Sequence, residues 1–337
     1  MVTSIKASRR KLCKAVPFCA FLFLASPATV QSNTQEPLYR LQSRVELVDV
    51  AVSVTDAHGN FLAHLRRENF RVLDERVEQP ITHFESVELP VMVTVVLETS
   101  PAVYLIHSQH LQAAQALADG LASGDQVALV TYDLEPQMKL PFTADKSTFG
   151  AALLRLHFNL GMAQLNLYDS LSKTLDWLGR YPGKKAVVLL STGLDSFGPG
   201  RWEQLKETLR RTDVVIYPVA LGGWMRASPK NSARRPGGEF APLTFEAADR
   251  VLNSIAELTG GRAHFPLGPD EFPAIYQQIA HALRHQYRIG FPPAVRDGWF
   301  HQIQVLLLDD KGRVIYSSAD KGPHRIQARR GYFSPEP

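Results

Sequence analysis

Residues 91–102, VMVTVVLETSPA, read as a strand that ends in a short polar loop and leads into a helix. Seven of the eight residues from Val91 to Glu98 are apolar or Thr, the composition of a strand covered on both faces, as in a parallel sheet wrapped by helices. Glu98 breaks the run. Beyond Val103, the residues Leu105, Leu111, Ala114, Leu117 and Leu121 fall at helical spacing and make one apolar face. Glu98, Thr99 and Ser100 therefore stand at the C-terminal end of a strand, the edge where open α/β sheets hold ligands. Ser100 is as well placed to cap the helix that follows.

The alternation continues downstream. Strands are expected at 126–132, 186–191 and 214–220, and helices at 146–157, 167–178 and 201–211, the pattern of a mainly parallel sheet flanked by helices. Residues 222–242 hold four glycines, three prolines and several basic side chains and read as a surface loop. Helices at 244–258 and 269–285 bracket a short strand at 263–265, with Gly260-Gly261 ending the first of them.

Both flanks carry β patterns. On the N-terminal side are 45–56 (VELVDVAVSVTD), a turn at His58-Gly59-Asn60, and strands at 70–73 and 81–84; on the C-terminal side are 287–290, 302–308, 313–317 and 325–329. The economical arrangement sets these strands side by side. The expected organisation is an export signal at 1–28, an N-terminal β unit at 29–89, an α/β domain at 90–286 and C-terminal strands at 287–337 that pack with the N-terminal unit.

In the leader, Arg9, Arg10, Lys11 and Lys14 precede an apolar run, 15–25, that is too short to span a bilayer. SRRKLCK also resembles a twin-arginine signal, so both export routes stay open, as does an uncleaved anchor. Export to the periplasm or beyond is expected. Cys13 and Cys19 are the two cysteines, so a processed chain has no thiol; Cys19 as a lipid-attachment site is the alternative. Five of the 37 basic residues and none of the 33 acidic ones precede residue 29, so the net charge of +4 belongs to the leader. The remainder is near neutral and gives no argument for a nucleic-acid partner. No later segment approaches the roughly 20 apolar residues of a membrane span.

Four stretches together resemble a known group: FLAHLRRENFRVLDERVEQPITHF, LNLYDSL, IAELTGGRAHF, and HQYRIGFPP with QARRGYF. The α/β part resembles a von Willebrand factor type A domain. The chain from Leu41 to Phe333 resembles exported bacterial proteins, abundant in acidobacteria, that carry the von Willebrand factor A related domain. The resemblance implies a Rossmann-like open sheet inserted in a small antiparallel β unit built from both chain ends.

It also implies a metal-ion-dependent adhesion site with the pattern D-x-S-x-S, a Thr from a second loop and an Asp after a later strand, which supply oxygens to a divalent cation. Matched position by position, Glu98 stands for the first Asp, Ser100 for the first Ser, Ala102 for the second Ser, Leu165 for the Thr, and Thr192 for the second Asp. Ala102 and Leu165 offer no side-chain oxygen, Glu98 is one methylene longer, and Thr192 is neutral. The site reads as degenerate, with no cofactor expected. Cation-dependent adhesion through Mg²⁺, held by Glu98, Ser100 and Asp195, is the alternative.

The pairs His281/His285 and His107/His110 have metal-compatible spacing but no HExxH pattern, and read as ordinary surface or half-buried histidines. Asp133 and Glu135 follow a strand at the same sheet edge. No GxSxG elbow, P-loop or cysteine nucleophile occurs. The expected function is that of an exported, non-catalytic module that binds an unknown protein partner. Its contact surface would comprise loops 98–102, 133–136, 163–168, 192–199 and 222–242, with Glu98, Thr99, Ser100, Asn166, Thr192 and Asp195 in the crevice. A secreted hydrolase acting through Glu98 or Asp195 is the alternative from a different class.

Overall fold

The computed structural model describes residues 47–56, 61–87, 90–104, 107–158, 164–221, 223, 245–318 and 325–336. The expected export signal with Cys13 and Cys19, the turn His58-Gly59-Asn60, residue 163, and the 222–242 loop apart from Gly223 lie outside the described residues. Strands β1 (Val48–Thr55), β2 (Phe70–Asp74), β3 (Val77–Gln79) and β4 (His83–Val87) come first. The α/β part follows as β5 (Val91–Glu98), α1 (Pro101–Tyr104), α2 (His107–Gly120), β6 (Gln126–Tyr132), β7 (Pro136–Thr143), α3 (Lys146–Leu154), α4 (Leu167–Leu178) and β8 (Lys184–Ser191). It is completed by α5 (Pro199–Arg211), β9 (Val215–Ala220), α6 (Phe245–Thr259) and α7 (Phe272–Arg284). Last come β10 (Gln286–Phe291), β11 (Phe300–Leu308), β12 (Val314–Ser317), β13 (Arg325–Ala328) and β14 (Gly331–Phe333).

The central sheet runs β7-β6-β5-β8-β9, with β5, β6, β8 and β9 parallel and β7 antiparallel at one edge. Successive side chains of β5 serve opposite faces. Val91, Val93, Val95 and Leu97 join α2, α3 and α7 in one apolar core, while Val96 joins α4, α5 and α6 in the other. This two-sided burial is why the strand reads as an unbroken apolar run. In α4, Leu167, Leu171, Leu175 and Leu178 recur at helical spacing and are all buried. Asp125 fixes the lower end of the sheet, its buried carboxylate accepting from the backbone N–H groups of Val91 (2.9 Å) and Ala122 (2.7 Å).

Several expected boundaries shift. The 146–157 helix ends at Leu154, and in the first crossover the described helical residues are those of α1 and α2. Strand β7 was not anticipated, because Pro136 and Pro141 interrupt it. Proline is tolerated there because β7 is an edge strand, with one side free of ladder bonds. The expected strand at 263–265 reduces to His264, which bridges Val219 in parallel and extends the sheet past β9. Gly260, at φ 81°, ends α6, and the N–H of Gly261 donates to the carbonyl of Ala256 at 2.9 Å.

Strands from both chain ends do come together, as two antiparallel sheets. One is ordered β13-β1-β10-β4; the other is β12-β11-β2-β3, with β14 also on β11. Val48, Val50, Val52 and Val54 share one apolar core with Tyr287, Ile289 and Phe291 of β10 and with Phe70, Val72, Val305 and Leu307 of the second sheet. The sheets therefore face each other as a small sandwich, with the α/β domain inserted between β4 and β10. A one-residue slip of β1 would turn all four valines out of this core. Strands β3 and β14, three residues each, are too short to show a period.

Tyr287 lies at the centre of this sandwich, fully buried among the rings of Phe61, Phe70 and Phe84 at 5.1–5.6 Å. Its hydroxyl donates to the carbonyl of Leu62 at 2.7 Å and accepts from the N–H of Leu65 at 3.1 Å. The segment before β2 is thereby tied to β10.

A second tie is polar. His301 on β11 lies 3.2 Å from Asp74 of β2 through Nδ1 and 3.2 Å from Asp297 through Nε2, and the Tyr332 hydroxyl of β14 donates to Asp74 at 2.7 Å. Burial pushes the imidazole pKa down, but hydrogen bonds and charge from Asp297 and Asp74 outweigh it, and the net shift is upward from 6.5. The folded protein thus binds this proton more tightly than the unfolded chain. The stability it contributes is complete below about pH 6.5 and is lost as pH rises through the higher folded pKa. Denaturant unfolding at intervals from pH 6 to 9 is expected to show this decline, and His301→Gln to flatten it; an unchanged slope in the variant would refute the assignment. Among the described residues, no helix is long and apolar enough to cross a membrane.

Candidate functional site

The register of the central sheet sets Glu98, the last residue of β5, beside Tyr132, the last of β6, and brings Ser191 and Thr192 to the same level at the end of β8. Glu98 is completely buried. Ser100 donates its hydroxyl to Oε1 at 2.5 Å. Oε2 accepts from the backbone N–H of Thr192 at 2.7 Å and from its hydroxyl at 2.9 Å. The Tyr132 hydroxyl lies 3.1 Å from Oε2 and 2.6 Å from the Ser191 oxygen, which itself lies 3.3 Å from Oε2. With one proton each, the Tyr132 and Ser191 hydroxyls form a relay that ends on the carboxylate. Burial, followed by the nearby charge of Glu98, pushes the Tyr132 phenol well above its ordinary pKa.

The backbone makes this geometry available. After β8 the chain turns sharply at Gly193, whose φ of 77° suits glycine and whose N–H donates to Ser191 Oγ at 2.9 Å. A Cβ there would stand 2.9 Å from the carbonyl oxygen of Ala248. The turn leaves both donors of Thr192 facing Glu98. The additional methylene of Glu, compared with Asp, lets the carboxylate cross to them.

Ser100 gives its hydroxyl proton to Glu98, and its carbonyl accepts from the N–H of Val103 at 3.2 Å. Thr99 turns aside, with both its N–H (2.9 Å) and its hydroxyl (3.1 Å) on the carbonyl of Tyr132. Asp195 belongs to a neighbouring network, accepting from the backbone N–H groups of Tyr168 (3.1 Å) and Phe197 (2.8 Å). Asn166 receives no cap bond from its helix; its amide donates to the carbonyl of Leu134 at 3.1 Å, and its Oδ1 is buried without a partner. Leu165 is buried, and both its backbone polar groups bond to Ser196.

Of the six anticipated residues, then, Glu98, Ser100 and Thr192 meet directly, and Thr99, Asn166 and Asp195 brace the loops around them. Tyr132 and Ser191 were missed. The available signal was a tyrosine closing the mostly apolar strand QVALVTY; its pairing with Glu98 is set by the sheet register.

An octahedral cation needs about six oxygens with lone pairs directed at it. Here Oε2 already accepts several hydrogen bonds, Leu165 offers only apolar bulk, and Asp195 is held by backbone donors. The donor set does not match such an ion. Among the described residues, no group of three or more His, Cys, Asp or Glu side chains is arranged to hold a metal. The rings of His281 and His285 stack at 5.8 Å, and His285 stacks on Phe61 at 5.1 Å.

Exposed apolar side chains rim the crevice, Leu134 and Phe197 among them, and Arg201 lies over the Phe197 ring at 4.7 Å while pairing with Asp169. Glu135 is paired with Lys173.

No family model and no curated protein matches the sequence. Solved structures with a similar fold include a von Willebrand factor type A protein from Catenulispora acidiphila, 14% identical over 84% of this chain and 75% of that chain, TM-score 0.47. They also include an aerotolerance-related membrane protein from Bacteroides fragilis, 13% identical over 57% of this chain and 98% of that one, TM-score 0.44. A third, the conserved hypothetical protein BatB from Bacteroides thetaiotaomicron, is 15% identical over 57% and 98%, TM-score 0.42. The strand order β7-β6-β5-β8-β9, with its antiparallel edge and helices on both faces, is an open, mainly parallel α/β sheet, the architecture that the resemblance to von Willebrand factor type A domains implies.

Proposed function

We propose that the protein is an exported, non-catalytic interaction module that binds a protein partner through the C-terminal edge of its central sheet, without a divalent cation. The observation that carries this reading is the closure of Glu98 by Ser100, Thr192 and Tyr132. In this reading the hydrogen bonds of the network, in place of an ion, brace the loops around Glu98. Partner contact then falls to the rim, where Leu134 and Phe197 supply apolar area and the Arg201–Asp169 pair supplies polar fit.

Calorimetric titration with Mg²⁺ and Mn²⁺ tests the reading. No saturable heat is expected, and unfolding midpoints should agree with and without chelator, since an ion held only by the folded state would raise them. Saturable binding that disappears in Ser100→Ala would overturn it.

A further inference from the structure

A cleft of about 850 Å³ opens on the sandwich, where its second sheet approaches the C-terminal ends of α5 and α6. Three arginines reach it from three separate segments: Arg76 from the β2–β3 turn, Arg210 from the last turn of α5, and Arg330 from the turn between β13 and β14. Leu73, Phe300 and Ile303 give the same wall an apolar component. The Arg210 guanidinium lies over the Phe300 ring at 5.0 Å and pairs through Nη1 with the half-exposed Glu207 of the same helix, while its Nε is buried without a hydrogen-bond partner. Arg330 pairs with Glu257 at 2.8 Å, but both side chains are about half exposed or more, so the pair can yield to a better acceptor. One carboxylate lines the cleft, that of Glu75, and its Oε1 already accepts from the N–H of Gln302 at 2.6 Å.

The turn that presents Arg76 has an unusual backbone. Glu75 and Arg76 both adopt positive φ, 48° and 70°, in a two-residue hairpin connection that favours Asn-Gly. Strain kept at two residues that both line one cleft is a pointer to use of that cleft.

We propose that this cleft binds an acidic, partly apolar peptide segment of a partner protein. Its carboxylates would meet the guanidinium forks of Arg76, Arg210 and Arg330, and its apolar side chains the surface of Leu73, Phe300 and Ile303. Planar guanidinium groups match carboxylates two bonds at a time. The apolar component favours a peptide over a uniformly hydrophilic polyanion.

The test is fluorescence anisotropy of a labelled twelve-residue peptide of alternating Glu and Leu, titrated with the full chain at low salt. Saturable binding is expected, weakening with added salt. Arg76→Ala combined with Arg330→Ala should weaken it by about tenfold or more, as loss of charge-assisted bonds does. Both positions are exposed, so thermal melting should be unchanged, and Arg180→Ala, an exposed arginine elsewhere, should bind like the parent. The proposal is overturned if the peptide does not saturate the chain, if the double variant binds as tightly, or if the corresponding Lys–Leu peptide binds equally well. Displacement by heparin at concentrations where the peptide cannot compete would reassign the cleft to a polysaccharide and overturn it likewise.

Discussion

Replacing Glu98 by Ala is expected to lower the unfolding free energy by about 3–5 kcal/mol, the range for breaking a buried charged network by removing one partner. The change leaves the hydroxyls of Ser100 and Thr192, the N–H of Thr192 and the last hydroxyl of the Tyr132–Ser191 relay without their acceptor in a closed site. Each orphaned buried donor costs about 1–3 kcal/mol. Water entering the vacated polar space recovers part of this, which places the result toward the lower end. For a domain of this size, that is a fall in Tm of roughly 10 °C. Glu98→Asp should fall between the parent and the alanine variant, because its carboxylate is one methylene short of Thr192.

A double-mutant cycle with Thr192→Val separates the network from simple loss of volume. The two changes should combine to clearly less than their sum, since each removes the other's partner. Additive effects would mean that Glu98 and Thr192 do not stabilise the site jointly. An unchanged Tm in Glu98→Ala would mean that the carboxylate is not part of the folded core at all.

Tyr287→Ala should destabilise the sandwich by about 4–5 kcal/mol, near the top of the range for deleting a buried aromatic side chain. The ring fills the space between Phe61, Phe70 and Phe84, and its hydroxyl bonds Leu62 and Leu65. Tyr287→Phe removes only the hydroxyl and should cost about 1–2 kcal/mol, the price of two backbone groups losing one partner. Denaturant unfolding with single-tryptophan variants locates the damage. Trp299 adjoins β11 in the sandwich, while Trp177 and Trp202 lie on α4 and α5. The Trp299 transition should move to lower denaturant by the full amount; a shift confined to Trp177 and Trp202 would contradict the assignment of Tyr287 to the sandwich core.

Much of the fold was legible because the central strands are buried on both faces. Such strands leave continuous apolar runs, and residues 91–98, 126–132 and 186–191 stand out for that reason. Strand β7 carries no such signature: it lies at the edge, is buried on one side at most, and contains two prolines. The pairing of strands from the two chain ends could be inferred from composition. Their division into two facing sheets could not, because side-chain alternation states which face is buried and not what covers it.

At the candidate site, position along the chain identified Glu98, Ser100 and Thr192, but not what they do. Thr192 reads as a weak replacement for a carboxylate when judged as a cation ligand. In the folded protein it supplies two hydrogen bonds to a carboxylate long enough to reach it. Distance between strand ends decides that outcome, and distance is invisible until register is known. Tyr132 shows the same limit, since its phenol matters only because β6 lies beside β5 in a register that brings it level with Glu98.

The chain enters the inserted domain from β4 and leaves it into β10, and these two strands are paired neighbours, with Val87 opposite Gln286. The domain therefore hangs from two adjacent attachment points. If the backbone is pulled at the outer ends of β1 and β13, the load runs through the ladders joining β13, β1 and β10. Those ladders must open before any force is felt across the central sheet. While those ladders hold, the central sheet and the loops at its C-terminal edge are shielded from the load.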